Sequence, residues 1–383
     1  MDFILGIGII LVIGALSCKL SIKAGSPVLL GFILIGMLIG NWFEFESMTL
    51  VEHLCDFGLL LIIFTGGFQT NFQQARPVLT LSSVLSVAGT LLTTAFSFAF
   101  AYFVLSMEFY QALLLGAIIS ATDAASVFSI LQSRKLELKS NLDSVLEIES
   151  GSNDPLGHML ALFLILLAKG ELSSVPVFFI LEICVGVLSG ILIARIGQWL
   201  INKLNVDIDG LYAVLLCGTA FLIYGAAAQF GGSGFLAVYI GGIILGNSKL
   251  VYKRFLSRMF SAIYMCMQIM LFIVLGILTV PASIAKVAVS GLIFAAFLIL
   301  VARPVVVYIL MKPFSRPLNE IALVAWGGFR GAPSIVFATH LLISGLPYGE
   351  YVFSMVFFVC ILSVVIQGSS FAHIAKKLKL VDE

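Results

Sequence analysis

Apolar positions run in long unbroken stretches from Phe3 to Ala375 rather than in alternation with polar ones. A membrane-crossing helix needs roughly 20 such residues to span about 30 Å of hydrocarbon, and these stretches supply them repeatedly. A transmembrane barrel would show short alternating strands, whereas continuous runs satisfy their backbone hydrogen bonds as helices. Hydropathy and turn residues predict helices near 3–20, 25–41, 50–67, 78–105, 110–132, 143–168, 174–202, 210–229, 233–247, 258–279, 282–311, 318–344 and 350–375. The expected fold is an all-α polytopic membrane protein of about 13 helices, a single domain over 1–383. The first run lacks a basic leading region and is followed by further spans, so it is read as a retained helix rather than a signal peptide.

Composition narrows the class. The chain is 61% hydrophobic and 11% charged, outside the usage of soluble domains. Its net charge of +1 and the lack of basic stretches with interleaved aromatics give no indication of nucleic acid. Six cysteines stand singly, without the spacing of zinc or redox motifs, and read as small core residues. Lys and Arg gather in alternate loops, among them Lys19 and Lys23, Arg76, Arg134, Lys135 and Lys139, Lys203, Lys249 to Arg258, Lys312 and Arg316, and Lys376 to Lys379. The intervening loops carry Glu44, Glu46, Glu108, Glu171 and Glu350. This asymmetry predicts an outside N-terminus, a cytoplasmic C-terminus and an odd helix count.

An internal repeat is visible. Pro27 to Asn41 aligns with Ser233 to Asn247, so that Leu30, Gly36, Gly40 and Asn41 meet Leu236, Gly242, Gly246 and Asn247. The two spans interrupted by polar and small residues, Ala121-Thr122-Asp123-Ala124-Ala125-Ser126 and Gly327-Gly328-Phe329-Arg330-Gly331-Ala332-Pro333, have nearly the same separation. Repeats of about 1–170 and 208–376, joined by a linker helix near 174–202, would lie in opposite orientations, with broken helices 5 and 12 crossing mid-membrane.

Ionisable groups at membrane depth are costly and mark function. The sixth span opens Leu146-Glu147-Ile148-Glu149-Ser150-Gly151-Ser152-Asn153-Asp154-Pro155 and is then apolar except for His158. Helical spacing puts Ser150 and Asp154 on one face and Glu149 and Asn153 on the adjacent one. Pro155 cannot donate to the Gly151 carbonyl, which leaves a backbone oxygen available beside Asp154. A carboxylate, a hydroxyl and free carbonyls are ligands for a small alkali cation. Asp154 is accordingly the expected site of cation and proton binding.

The interrupted fifth span brings Thr122 and Asp123 to mid-membrane, where half-helix termini present opposite dipole ends. Asp123 either neutralises the positive end or ligates the ion directly, and Thr122 offers a carbonyl or hydroxyl. Arg330 in the twelfth span needs a buried anion, with Glu149 the expected partner, unless it reaches water. Glu182, Arg303 and Glu320 read as structural or interfacial. His158 reads as a hydrogen-bonded core histidine or a pH sensor. Gln69 and Asn71 are placed at the cytoplasmic mouth, and Glu52, His53 and Asp56 near the outer end of the third span.

The segments LEIESGSNDP, ATDAASVFSIL and WGGFRGAPSIVFA together resemble the NhaP-type cation/proton antiporters, and the similarity extends over essentially all the spans. The resemblance implies that Asp154 is the shared cation and proton carboxylate, with Ser150 and the Thr122 region as further ligands. It also implies that Asn153 steadies the broken helix and that Glu149 pairs with Arg330. With neutral Asn153 beside Asp154, one carboxylate holds either a proton or a cation. The exchange implied is electroneutral, whereas a related branch with an Asp-Asp pair is electrogenic. A homodimer in a bacterial or archaeal inner membrane is implied as well, with no cofactor beyond the transported ions. Two features depart from the family. Phe64-Thr65-Gly66-Gly67-Phe68-Gln69 stands where some relatives carry an acidic ligand, and the sequence ends at Glu383 where many continue into a cytosolic regulatory domain.

The reading is therefore exchange of Na⁺, K⁺ or Li⁺ for H⁺ across the bilayer by alternating access. A cation channel would need a filter loop that the sequence does not display. A sodium-coupled symporter of organic acids would need a roomier polar cavity, and an intramembrane enzyme a catalytic motif such as HExxH or GxSxG.

Overall fold

Each apolar run folds as a helix whose ends follow the local turn chemistry. The computed structural model describes residues 3–24, 28–40, 47–123, 126–127, 137–171 and 174–381. In chain order the helices are α1 Phe3–Ala24, α2 Val28–Ile39, α3 Met48–Gln69, α4 Leu79–Phe103, α5 Phe109–Ser120 and α6 Leu142–Lys169. They continue as α7 Val175–Lys203, α8 Asp209–Gln229, α9 Gly234–Gly246, α10 Lys253–Ile277 and α11 Pro281–Phe297. The last are α12 Arg303–Met311, α13 Leu318–Trp326, α14 Ala332–Ile343, α15 Gly349–Ser363 and α16 Ser369–Lys377. Ser47 and Ser233 cap α3 and α9 by accepting from the N–H groups of Leu50 and Leu236. Gly170, at φ +72°, closes α6 in the left-handed conformation that glycine adopts without strain.

Among the described residues, eight helical segments are long and apolar enough to cross a membrane, and several shorter apolar helices accompany them. No strand forms among these residues; Leu138 and Val381 make an isolated bridge. The fold is therefore all-helical, as expected. Glu44, Glu46, Arg134 and Lys135 lie outside the described residues, as do Pro27 and Asn41 of the first repeat segment and Ala124 and Ala125 of the first interruption.

Where single helices near 110–132 and 318–344 were expected to be interrupted, the backbone leaves the helix at Ala121–Asp123 and again between Trp326 and Ala332. Two other helices contain π turns, Leu298–Ala302 between α11 and α12 and Val364–Gly368 between α15 and α16. Such turns commonly occur at functional sites; here Arg303, just after the first, lies against Gly328, and Gln367 of the second bonds to the Trp326 carbonyl.

The helices pack as two groups. Helices α4, α5 and α6 associate with one another and with the α11–α16 segments, while α1–α3 associate with α7–α10. The groups meet where α3, α9 and α10 face α6 and α14. Glycines let α3 and α9 cross closely: a Cβ on Gly242 would stand 2.5 Å from the Phe64 carbonyl oxygen, and one on Gly67 2.6 Å from that of Tyr239. Gly36 meets the backbone of α10 in the same manner. The small residues that stood out in the repeat thus pack helices within one chain.

Candidate functional site

The two interrupted segments lie against each other. The Asp123 N–H donates to the Phe329 carbonyl at 2.9 Å, joining one break to the other. Arg330 is 1% exposed, and its Nη1 donates to the carbonyls of Ser120 and Ala121 at 2.6 and 2.9 Å. These acceptors are the C-terminal end of α5, where unsatisfied carbonyls concentrate partial negative charge, so the guanidinium offsets a helix dipole. Asp123 occupies the complementary position. It accepts from Ser126 Oγ at 2.6 Å and lies so close to Gly331, just before α14, that a Cβ there would overlap its carboxylate. Opposite charges therefore sit at opposite half-helix ends, Arg330 at a C-terminus and Asp123 beside an N-terminus.

A polar relay holds the second break from behind. The Arg330 N–H donates to Ser363 Oγ at 2.9 Å, and Ser363 Oγ donates to Gln367 Oε1 at 2.6 Å. Gln367 Nε2 then donates to the carbonyl of Trp326, the last residue of α13, at 2.9 Å. Ser363 and Gln367 flank or belong to the π turn, whose extra residue redirects these side chains toward the break.

Helix α6 clamps the first break. Asn153 accepts from the Thr122 N–H at 3.1 Å, and its Nδ2 donates to Thr122 Oγ1 at 2.7 Å. Thr122 Oγ1 also shares a 2.8 Å hydrogen bond with Ser150 Oγ. Asn153 thereby supplies an acceptor to the extended Thr122 backbone N–H and a donor to the Thr122 hydroxyl.

Asp154 is 3% exposed, and its Oδ1 has no hydrogen-bond partner among the described residues. It lines a cavity of about 40 Å³ together with Ile62, Ile63, Gly66, Gln69 and Thr70 of and just after α3, Glu147 and Gly151 of α6, Tyr239 of α9 and Tyr264 of α10. Gln69 and Thr70 also border a wider recess of about 590 Å³ that Asn71, Asn247, Lys253 and Ser257 help to line. Gln69 and Thr70 thus stand between the recess and the cavity that holds Asp154. Ser150, Thr122 and Asp123 do not belong to the cavity wall, and their side-chain oxygens are engaged in the contacts described above. The structure brings Thr122, Ser150 and Asn153 together and places only Asp154 of the expected ligands at the cavity wall.

The expected Glu149–Arg330 pair does not form. Glu149 Oε1 lies 2.6 Å from Arg303 Nη1, with both side chains buried. Arg303 follows the π turn before Pro304, and Arg330 is committed to the α5 carbonyls instead. Arg303, read as structural or interfacial, is thus the partner of the most buried carboxylate at the site. The place of Glu147 in the cavity wall was not anticipated either, although Glu147, Gly151 and Asp154 fall at successive helical turns on one face. Tyr239 and Tyr264 had no comparable signal, because tyrosines in apolar spans are common.

The lower-ranked groups also find places. His158, one turn beyond Asp154, is packed edge-on against Phe235, Phe337 and His340. Glu320 pairs with Arg316 at 3.1 Å, and Asp56 with His340 at 2.8 Å.

Residues 8–377 match the family described as sodium/hydrogen exchanger, transmembrane. The K(+)/H(+) antiporter NhaP of Alkalimonas amylolytica is 34% identical over 384 residues, covering 98% of this chain and 67% of the relative. The K(+)/H(+) antiporter NhaP2 of Shewanella oneidensis is 32% identical, covering 99% and 67%. In shape the chain resembles the sodium proton antiporter MjNhaP1 of Methanocaldococcus jannaschii, with a TM-score of 0.88 at 24% identity and 98% coverage of both chains. A match of this extent over the membrane-embedded helices, with a buried carboxylate beside crossed helix breaks, makes the chain a member of the sodium/hydrogen exchanger family, a cation/proton antiporter rather than an enzyme.

Proposed function

We propose that the chain exchanges one monovalent cation, Na⁺ or K⁺ with Li⁺ as a further candidate, for one proton, the two competing for Asp154. The observation that carries this reading is the buried Asp154 Oδ1, without a hydrogen-bond partner among the described residues and at the wall of a cavity that Gln69 and Thr70 separate from a polar recess. A carboxylate there needs either a proton or a cation, because an unpaired charge at that depth is costly. The loaded site is nearly neutral and can cross, while the empty charged site cannot, which couples the two fluxes. A cavity of about 40 Å³ holds roughly three waters on the scale of one water per 10–15 Å³, room for a partly hydrated ion rather than an organic acid.

In this proposal the group built from α4–α6 and α11–α16 rocks against α1–α3 and α7–α10 to expose Asp154 to each face in turn. In the same proposal thirteen spans form two inverted repeats, about 1–170 and 208–376 around the helix near 174–202, and the basic loops set the N-terminus outside and the C-terminus in the cytoplasm. The recess, bordered by Lys253, then opens to the cytoplasm. The apolar side chains left exposed on α7, among them Ile180, Leu188, Leu192 and Trp199, face lipid or the second subunit of a homodimer in the inner membrane. Potassium has support in the two relatives described as K(+)/H(+) antiporters, and sodium in a probable Na(+)/H(+) antiporter 2 of Methanocaldococcus jannaschii, 28% identical over 86% of this chain.

The test is proton movement in reconstituted vesicles driven in turn by gradients of Na⁺, K⁺ and Li⁺, with membrane potential clamped at several values. Exchange that is cation-dependent and insensitive to potential supports the proposal; a rate that follows potential contradicts one-for-one exchange. Asn153→Asp provides a second arm. An aspartate can still accept from the Thr122 N–H and hydroxyl, so the clamp persists while the site gains a carboxylate. Exchange in this variant is expected to become sensitive to potential.

A further inference from the structure

On the side of Asp154 away from the cavity, the two helix groups are fastened to each other. The cavity lies near the Gln69 end of α3, whereas Asp56 is thirteen residues earlier on the same helix, about 20 Å away at 1.5 Å per residue. His340 stands near the outer end of α14, whose N-terminus is at the crossed breaks. Its Nε2 is 2.8 Å from Asp56 Oδ1, the two side chains being 13% and 24% exposed. This contact joins the group that carries Asp154 to the group that faces it. Behind it, the rings of His158 and Phe337 from one group close on Phe235 from the other, with His158 centroids 4.8 Å from Phe235 and 5.4 Å from Phe337. His158 is also 5.4 Å from His340, so the clasp and the aromatic seal are continuous.

We propose that Asp56 and His340 form the gate on the face remote from the cavity, a polar clasp that must part once in each transport cycle before Asp154 can be reached from that side. The aromatic packing excludes water and ions between Asp154 and the clasp. The hydrogen bond supplies a specific attachment that favours the conformation seen here over the one open on the other face. None of these groups touches the cavity, so the clasp sets which face is open and leaves ion binding to Asp154. The proposal rests on the alternating-access reading above.

Removing the clasp should raise the population of the opposite conformation, and the apparent affinity on a face follows the fraction of molecules open to it. Exchange is measured in right-side-out and everted membrane vesicles, varying the cation on one face at a time. For Asp56→Ala and for His340→Ala, the half-maximal cation concentration on the clasp face is expected to fall roughly tenfold, the factor equivalent to about 1.4 kcal/mol of a charged hydrogen bond. On the cavity face it should stay constant or rise. The double variant should shift no further than either single one, because both remove the same contact. Asp56→Asn and His340→Gln keep a neutral hydrogen bond and serve if an alanine variant does not fold; they should shift the clasp face in the same direction by less. Equal changes on both faces, a shift confined to the cavity face, or no shift would overturn the gate. Loss of the site itself is distinguishable, since a wrong assignment of Asp154 would show as retained exchange in Asp154→Asn whatever the clasp variants do.

Discussion

Asp154→Asn is expected to reduce cation-driven proton movement to the leak of protein-free vesicles while leaving the protein folded. The side chain is buried and Oδ1 has no hydrogen-bond partner among the described residues, so an amide of nearly the same shape removes the exchangeable charge without breaking a hydrogen bond from any of them to that oxygen. Burying an ionisable group without a partner is unfavourable, and thermal stability in detergent should be unchanged or higher. Loss of exchange with an intact melting transition would locate the defect in transport. Asp154→Ala should give the same loss of exchange, with a further cost from the space it leaves.

The second large effect concerns folding. Glu149 and Arg303 are a buried ion pair at 2.6 Å, and removing one member leaves the other charged and uncompensated. Glu149→Gln or Arg303→Met should each destabilise by about 3–5 kcal/mol. Combining Glu149→Gln with Arg303→Met should recover most of that loss, because two neutral side chains avoid the desolvation cost of the pair. Combining Glu149→Gln with Arg330→Met should not, since Arg330 is bound to the Ser120 and Ala121 carbonyls. Denaturation midpoints of the four variants, read with yields of folded protein, decide which arginine belongs to Glu149.

Much of this architecture is legible in the residues because membrane helices announce themselves by length and apolarity. The breaks were visible for the same reason in reverse: Thr122-Asp123 and Gly327 to Pro333 interrupt runs that nothing else interrupts. Asp154 and its neighbours could be placed because their spacing on one helix is local. The Glu149 partner could not. Two arginines stand in apolar surroundings, and the choice between them depends on how α5 and α12 approach the second break. The acceptors that satisfy Arg330 are backbone carbonyls, which every sequence contains and none displays. Similarly, Asp56 and His340 are 284 residues apart, and only the packing of α3 on α14 brings them together.

The expected ligands Ser150 and Thr122 show what spacing alone leaves open. They are on the correct faces, yet in this conformation their hydroxyls bond to each other rather than line the cavity. The oxygens already at the wall beside Asp154 are those of Thr70, Tyr239, Tyr264, Gln69 and Glu147, so a cation on Asp154 meets these before the Ser150 and Thr122 hydroxyls.

Competition at a single carboxylate is tested most directly by counting protons released when cation binds the purified protein in weakly buffered solution, over a series of pH values. With Asp154 protonated at the start, release of about one proton per bound cation is expected, falling to none in Asp154→Asn as binding itself is lost. Undiminished cation binding with unchanged proton release in that variant would contradict exchange at Asp154.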